Sequence, residues 1–223
     1  MTAPANPETA PTESPVRGLY AIADTALLGP ERLLEAVAAA LRGGARVIQY
    51  RHKGEAGPVQ HEQAAALRAA CEAAGAVFLV NDHVELAAGA GAHGVHLGRG
   101  DMDPARARRR LGPSALIGVS CYNELSRARA AVVAGADYVA FGSFYASPVK
   151  PGAVHAGPGL LRRARRCLPV PVVAIGGIRA DNAAPLIAAG ADAVAVISAV
   201  FTAADVEAAA RHLSLLFESR NHA

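Results

Sequence analysis

One junction recurs along this chain: a run of small residues closes on Gly-Ala, and an apolar stretch follows. It reads Gly43-Gly44-Ala45 before Arg46-Val47-Ile48, and Ala74-Gly75-Ala76 before Val77-Phe78-Leu79. It returns as Ala90-Gly91-Ala92, Ala134-Gly135-Ala136 and Ala189-Gly190-Ala191. A glycine just past a helix can take the left-handed conformation that ends it, after which the apolar run enters a buried strand. Repeated passage from helix to strand is the pattern of a parallel α/β protein. In such folds chemistry collects at the opposite junctions, where strands end and loops lead into helices.

Apolar runs predict eight strands, over 18–23, 46–51, 77–81, 94–97, 116–121, 138–144, 171–175 and 193–198. Helices are expected between them, over 30–42, 58–74, 83–90, 103–110, 123–134, 158–167, 180–189 and 203–217. A continuous run such as Val172-Val173-Ala174-Ile175 suits a strand buried on both faces. Asp103-Pro104 and Asp181-Asn182 read as helix starts, with a side-chain oxygen capping the first free amides. Eight strand–helix units in 223 residues favour a closed (β/α)8 TIM barrel over an open doubly wound sheet. No Gly-x-Gly-x-x-Gly follows the first strand, which argues against a dinucleotide fold. The expected organisation is a single α/β barrel domain over 17–218. Residues 1–16, with Pro4, Pro7, Pro11 and Pro15 among small polar residues, read as a disordered tail, and 219–223 as a short C-terminal tail.

The composition excludes several function classes. No apolar run approaches membrane-spanning length, and the start lacks the basic and apolar stretches of a secretory signal, so a cytoplasmic protein is expected. The net charge is only +3 at pH 7. The clusters Arg106, Arg108, Arg109, Arg110 and Arg162, Arg163, Arg165, Arg166 fall in helical segments and read as solvated faces. With few aromatics beside them, nucleic-acid binding finds no support, and small anions are the expected partners. Cys71, Cys121 and Cys167 show no Cys-x-x-Cys spacing, so neither a zinc site nor a disulfide framework follows. Cys121, near a strand end, reads as a buried thiol rather than a nucleophile.

Polar residues at the carboxyl ends of apolar strands demand a reason. Strand two ends Gln49-Tyr50-Arg51-His52-Lys53, and alternation puts Gln49, Arg51 and Lys53 on one side. Strand three ends Asn81-Asp82; strand four ends His96-Leu97-Gly98, with Asp101 just beyond. Strand five ends at Ser120, and strand six leads to Ser147 and Lys150. Arg51, Lys53 and Lys150 would converge with Asp82 and Asp101 on one rim, where three cations suit a polyanion. Two carboxylates beside them suit magnesium, which prefers a couple of carboxylates plus substrate phosphate to a full protein cage. Gly176-Gly177 after strand seven and Ile197-Ser198 after strand eight fall where barrels often bind phosphate. His96 is the one histidine placed to touch a substrate; no His-Glu-x-x-His and no Ser-His-Asp arrangement stands out.

These residues, in order from about 17 to 217, resemble the thiamine phosphate synthase (thiamine-phosphate pyrophosphorylase) family. The matching pieces are Gln49-Tyr50-Arg51-His52-Lys53, Asn81-Asp82, Gly94 to Gly98 with Asp101, Gly118-Val119-Ser120, Asp137 to Gly142, Ser147-Pro148-Val149-Lys150, Ile175 to Ile178 and Ile197-Ser198. The resemblance implies a (β/α)8 transferase that joins a phosphorylated pyrimidine to a phosphorylated thiazole. Its substrates are 4-amino-5-hydroxymethyl-2-methylpyrimidine diphosphate and 4-methyl-5-(2-hydroxyethyl)thiazole phosphate, and its products are thiamine phosphate and pyrophosphate, which departs first. It further implies Mg2+ on Asp82 and Asp101, and pyrophosphate on Arg51, Lys53, Asn81 and Lys150. Ser120 would lie near the reacting centre, Gln49 on the aminopyrimidine, and Gly177, Ile197 and Ser198 on the thiazole phosphate. Against the family pattern this chain has His52 for an acidic residue, Arg99 for Gln, and Val149 where the strand-six loop usually has Thr. Ser147 keeps the loop's first hydroxyl. A thiazole tautomerase-like barrel and a non-catalytic phosphate-binding barrel are the alternatives; retention of Arg51, Lys53, Asp82, Asp101 and Lys150 together favours the synthase.

Overall fold

A computed structural model of the chain describes residues 14–146 and 155–218. Ser147, Val149 and Lys150, residues 1–13 of the expected N-terminal tail and the expected tail at 219–223 lie outside the described residues. The strands are β1 (Gly18–Asp24), β2 (Val47–Arg51), β3 (Val77–Asn81), β4 (Gly94–Leu97), β5 (Leu116–Tyr122), β6 (Tyr138–Phe141), β7 (Val172–Ile175) and β8 (Ala193–Val196). The helices are α1 (Thr25–Arg42), α2 (Pro58–Ala73), α3 (Val84–Gly89), α4 (Pro104–Leu111), α5 (Leu125–Val133), α6 (Pro158–Cys167), α7 (Ala184–Ala188), α8 (Ser198–Phe201) and α9 (Val206–Glu218). Each strand pairs in parallel with the next, and β8 returns to β1, so the sheet closes as a (β/α)8 barrel.

The recurring junction does what its chemistry suggests. Gly44, Gly75, Gly91, Gly135 and Gly190, one from each recurrence, all have positive φ, from 60° at Gly91 to 106° at Gly190. A side chain would be strained there, so glycine is what lets each helix stop and its strand begin in so few residues.

Closure divides the apolar residues into two cores. Outward-facing positions such as Leu19, Ile48, Phe78, Val95, Ile117, Val139, Val172 and Val194 pack under the helices. Inward-facing positions, among them Tyr20, Val47, Leu79, Tyr138, Ala140, Val173 and Ala195, fill the barrel. Val16, at the end of the expected tail, is buried in that inner core. The Tyr138 ring and the β4–β5 backbone contact both depend on glycine. A Cβ on Gly118 would lie 1.9 Å from Cζ of Tyr138, and one on Gly94 would lie 1.8 Å from the Leu116 carbonyl oxygen.

Element boundaries differ from expectation in instructive places. Helix α1 begins at Thr25 rather than 30, because Asp24 accepts the Ala26 N–H at 3.0 Å and caps a first turn ahead of Pro30. Gly29, at φ 66°, breaks the two segments apart. Asp103 caps α4 as expected, accepting from Ala105 and Arg106. Helix α7 instead starts at Ala184 without a side-chain cap, since Asn182 is used in the turn before it. Strand β8 stops at Val196, and the residues expected to extend it open the short helix α8. Arg108 is not part of a solvated face: it donates to the carbonyls of Gly112, Pro113, Ala115 and Gly135 and pairs with Asp137. Among the described residues no helix is long and apolar enough to cross a membrane.

The inner packing predicts that Gly118→Ala destabilises the barrel by about 3 kcal/mol in urea unfolding, the upper end for overpacking a closed core. Because the clash is with Tyr138, combining it with Tyr138→Leu should cost less than the sum of the two single changes. Unchanged stability in Gly118→Ala would contradict this packing.

Candidate active site

The inward alternation of β2 brings Gln49 inside the barrel, where it is buried and donates from Nε2 to the Tyr20 hydroxyl at 2.6 Å. Tyr20 meets the Tyr138 hydroxyl at 3.0 Å, Tyr138 meets His96 Nδ1 at 2.9 Å, and His96 Nε2 meets Ser120 Oγ at 2.9 Å. Burial pushes both phenols well above their ordinary range, so each remains protonated. Gln49 already donates to Tyr20, so the direction that leaves no buried proton unused runs outward. Tyr20 donates to Tyr138 and Tyr138 to His96 Nδ1, leaving an Nε2–H on His96 for Ser120. A continuous hydrogen-bonded column therefore links Gln49 to Ser120 through a core that could not tolerate unpaired polar groups. The β5–β6 register slips between Ser120 and Tyr122. The slip falls after Ser120, which keeps its register with Ala140 and faces inward by the same alternation as Gly118.

Charge gathers above this column. Arg51, at the end of β2, pairs with Asp24 at the end of β1. Lys53 Nζ lies 2.5 Å from Asp82 Oδ2. Asp82 follows β3 with φ 62°, a left-handed conformation that Asp tolerates better than most residues. The Asp101 carboxyl lies close enough to interact with that of Asp82 and accepts the Gly98 N–H at 2.6 Å. Burial and then the facing Asp82 carboxyl push Asp101 above the usual carboxylate range. Burial acts on Asp82 in the same sense, but the hydrogen bonds from Asp101 and Lys53 and the Lys53 charge prevail and hold it low. Two acids facing each other beside one ammonium repel, and either a proton or a cation between them relieves that repulsion. Among the described residues no group of three or more His, Cys, Asp or Glu side chains converges as a metal cage. The pair leaves most of the coordination sphere to other oxygens, as magnesium prefers.

Next to the pair, Asn81 is buried, and its Nδ2 has no hydrogen-bond partner among the described residues. A buried amide donor left unpaired costs about 1–3 kcal/mol, so an acceptor arriving at this point would be favoured.

On the opposite side of the mouth, Ile175 is in register with Ala195, which places Gly177 and Ile197 at adjacent strand exits. The Gly176-Gly177 turn is pinned by Asn182, whose Nδ2 donates to the Gly177 carbonyl at 3.1 Å. A Cβ on Gly177, which has φ 65°, would lie 2.4 Å from the Ala146 carbonyl oxygen, so only glycine allows the loops to approach this closely. Ser198 opens α8 and is half-buried.

The column joins Gln49 to Ser120, Lys53 joins Asp82 beside Asp101, Arg51 pairs with Asp24 and Asn81 ends β3, these residues lying in or just after strands β1 to β5, while Gly177, Ile197 and Ser198 follow β7 and β8. Cys121 is fully buried, and burial pushes its thiol up to about 12, which removes it as a nucleophile. His52 accepts or donates a hydrogen bond with Thr25 at 3.0 Å instead of standing free. Sequence reasoning missed Asp24, Tyr20 and Tyr138. Asp24 carried a signal, a carboxylate at the end of an apolar strand, but the tyrosines looked like ordinary core residues.

The comparisons with known proteins agree with this geometry. A family model described as thiamine monophosphate synthase matches residues 19–200. The chain is 55% identical over 203 residues to a thiamine-phosphate synthase of Thioalkalivibrio sulfidiphilus, covering 91% of this chain and 96% of that protein. It is 56% identical over 187 residues to that of Thiobacillus denitrificans, covering 84% and 89% respectively. A solved thiamine phosphate pyrophosphorylase from Pyrococcus furiosus superposes with a TM-score of 0.82 at 38% identity, covering 91% of this chain and 96% of that one. Sequence and fold together place the chain in the thiamine monophosphate synthase family of transferases.

Proposed function

We propose that the two halves of the mouth hold the two substrates of thiamine phosphate synthesis, a pyrimidinylmethyl diphosphate and a thiazole phosphate. The observation that carries the reading is the Lys53 ammonium on Asp82, with Asp101 facing that carboxylate and the unpartnered Asn81 amide one residue before it at the end of β3. In the reaction the bond between the pyrimidine methylene carbon and the diphosphate oxygen breaks, and its electron pair leaves with pyrophosphate. The thiazole nitrogen lone pair then fills the vacancy on carbon. Negative charge grows on the leaving oxygens, so donors fixed there stabilise the transition state more than the ground state. In this reading Arg51, Lys53 and Asn81 take that role, together with Lys150 and Ser147 from outside the described residues. Asp82 and Asp101 would hold Mg2+, which supplies charge to polarise the leaving oxygens.

Gln49, held by Tyr20, orients the aminopyrimidine, and Ser120, held by His96, stands beside the reacting carbon. Gly177, Ile197 and Ser198 hold the thiazole phosphate. Bringing both partners into line removes much of the entropic cost of their encounter. A tautomerase-like reaction would need a histidine free to move a proton, whereas both ring nitrogens of His96 are engaged. A cytoplasmic location is part of the same proposal; Cys71, Cys121 and Cys167 are free thiols, as a reducing compartment keeps them.

Mixing the two precursors with the protein and magnesium should yield thiamine phosphate and pyrophosphate, and chelator should abolish both; product formation indifferent to chelator would contradict the metal assignment. Asp82→Asn, chosen because Asn accepts a left-handed backbone, should lower turnover on the order of 10²-fold or more while leaving the melting temperature nearly unchanged. Near-normal turnover would remove Asp82 from the site. Arg51→Met leaves Asp24 buried and unpaired and should cost about 3 kcal/mol of stability. Adding Asp24→Asn should restore much of that stability without restoring diphosphate affinity. Recovery of both would make Arg51 a structural residue only.

A further inference from the structure

Arg127, on α5, belongs to none of the groups described above, yet it touches two of them. Its Nε donates to the Ser120 carbonyl at 2.8 Å and its Nη2 to the Gly98 carbonyl at 3.3 Å. These carbonyls belong to different strand exits: Gly98 follows β4, and Ser120 lies where the β5–β6 register slips. One planar guanidinium fork therefore ties the loop after β4 to the bulge of β5. Gly98 is also the residue whose N–H holds Asp101 Oδ2 at 2.6 Å. The carboxylate lies so close to this backbone that a Cβ on Gly98 would stand 2.9 Å from the same oxygen. Arg127 and Asp101 thus hold the two peptide groups that flank the Gly98 α-carbon, one by its carbonyl and the other by its N–H.

Arg127 is itself well placed. It is half-buried, with its guanidinium carbon 5.9 Å from the ring centroid of Tyr122, a residue fixed at φ 54°. The nearby Glu124 is taken by Arg99, which lies 5.0 Å from the same ring. Among the described residues no carboxylate pairs with Arg127, so its hydrogen-bonding capacity goes to the two backbone carbonyls.

We propose that Arg127 is a positioning residue for this chain's transferase site: it fixes Gly98 by its carbonyl, and through that residue the Asp101 carboxylate, while holding the Ser120 carbonyl where the β5–β6 register slips. This rests on the reading of Asp101 as a magnesium ligand. Groups that orient a metal ligand typically govern affinity or activity by 10- to 100-fold.

The test compares the full chain with Arg127→Met, Arg127→Lys and Asp101→Ala. Affinity for magnesium pyrophosphate and for 4-methyl-5-(2-hydroxyethyl)thiazole phosphate is measured by calorimetry, alongside the magnesium dependence of turnover. Arg127→Met should weaken magnesium pyrophosphate by about tenfold or more and raise the half-saturating magnesium concentration in proportion, with excess magnesium recovering most of the turnover. Thiazole phosphate affinity should stay within about twofold, and Arg127→Lys, which can reach only one carbonyl, should fall between. Should Arg127→Met fail to fold, the lysine variant alone must show the selective loss. Equal loss for both ligands would mean general loosening and overturn the proposal. So would unchanged magnesium pyrophosphate affinity in the arginine variants while Asp101→Ala loses it. If Asp101→Ala binds as the parent does, the proposed metal site falls and the role of Arg127 falls with it.

Discussion

Closing eight parallel strands into a cylinder leaves no neutral place for a strand residue. Every position faces either the helices or the barrel interior, and both are dry. A polar side chain inside can persist only as a link in a fully bonded chain or at the open end. Both solutions occur here. Gln49, Tyr20, Tyr138, His96 and Ser120 form the bonded column, and Arg51, Asn81, Asp82 and Asp101 stand at the mouth. The column is a rigid support whose top end is a hydroxyl at the opening. Its room comes from glycine: without the missing side chain at Gly118 the Tyr138 ring could not enter the cylinder.

The mouth is crowded with charge that is mutually satisfied rather than free. Arg51 answers Asp24 and Lys53 answers Asp82, while Asp101 faces Asp82 as a second acid. In the proposed reading this suits a ligand carrying both signs, a diphosphate with its divalent cation, because each arriving charge would find an opposite one. Backbone strain is concentrated here as well. Among the described residues, Asp82 and Tyr122 are the two non-glycine residues with positive φ, and both stand at strand exits. Strain of this kind persists where the surrounding structure holds it, here Lys53 on Asp82 and the two arginines over the Tyr122 ring.

Much of this was readable from the amino-acid order because local chemistry dictates it. Glycines after Ala-rich segments mark helix ends by the conformation they permit, and strand alternation puts Gln49 and Arg51 on the barrel side, whereas Lys53 lies beyond the end of β2 and reaches Asp82 from there. What could not be read were features set by distant contacts. Tyr20 and Tyr138 are 118 residues apart, and nothing local distinguishes them from packing tyrosines. The pairing of Arg51 with Asp24 needed the β1–β2 register, and the extra helix α8 needed the turn at Ile197 that ends β8 early. Arg108 looked like one more surface arginine because its five acceptors lie in two separate stretches of chain, 112–115 and 135–137. Asn81 was legible as a polar residue at a strand end, whereas its lack of a partner appears only in three dimensions.

The central claim is that one end of the cylinder is a metal-assisted clamp for a departing pyrophosphate. A crystal soaked with Mn2+ and pyrophosphate tests it most directly, since manganese is located by its anomalous scattering. The account predicts a single metal peak bridging the Asp82 and Asp101 carboxylates and the ligand, with Asn81 Nδ2 and Lys53 Nζ on phosphate oxygens. Pyrophosphate bound elsewhere, or metal remote from both carboxylates, would contradict it.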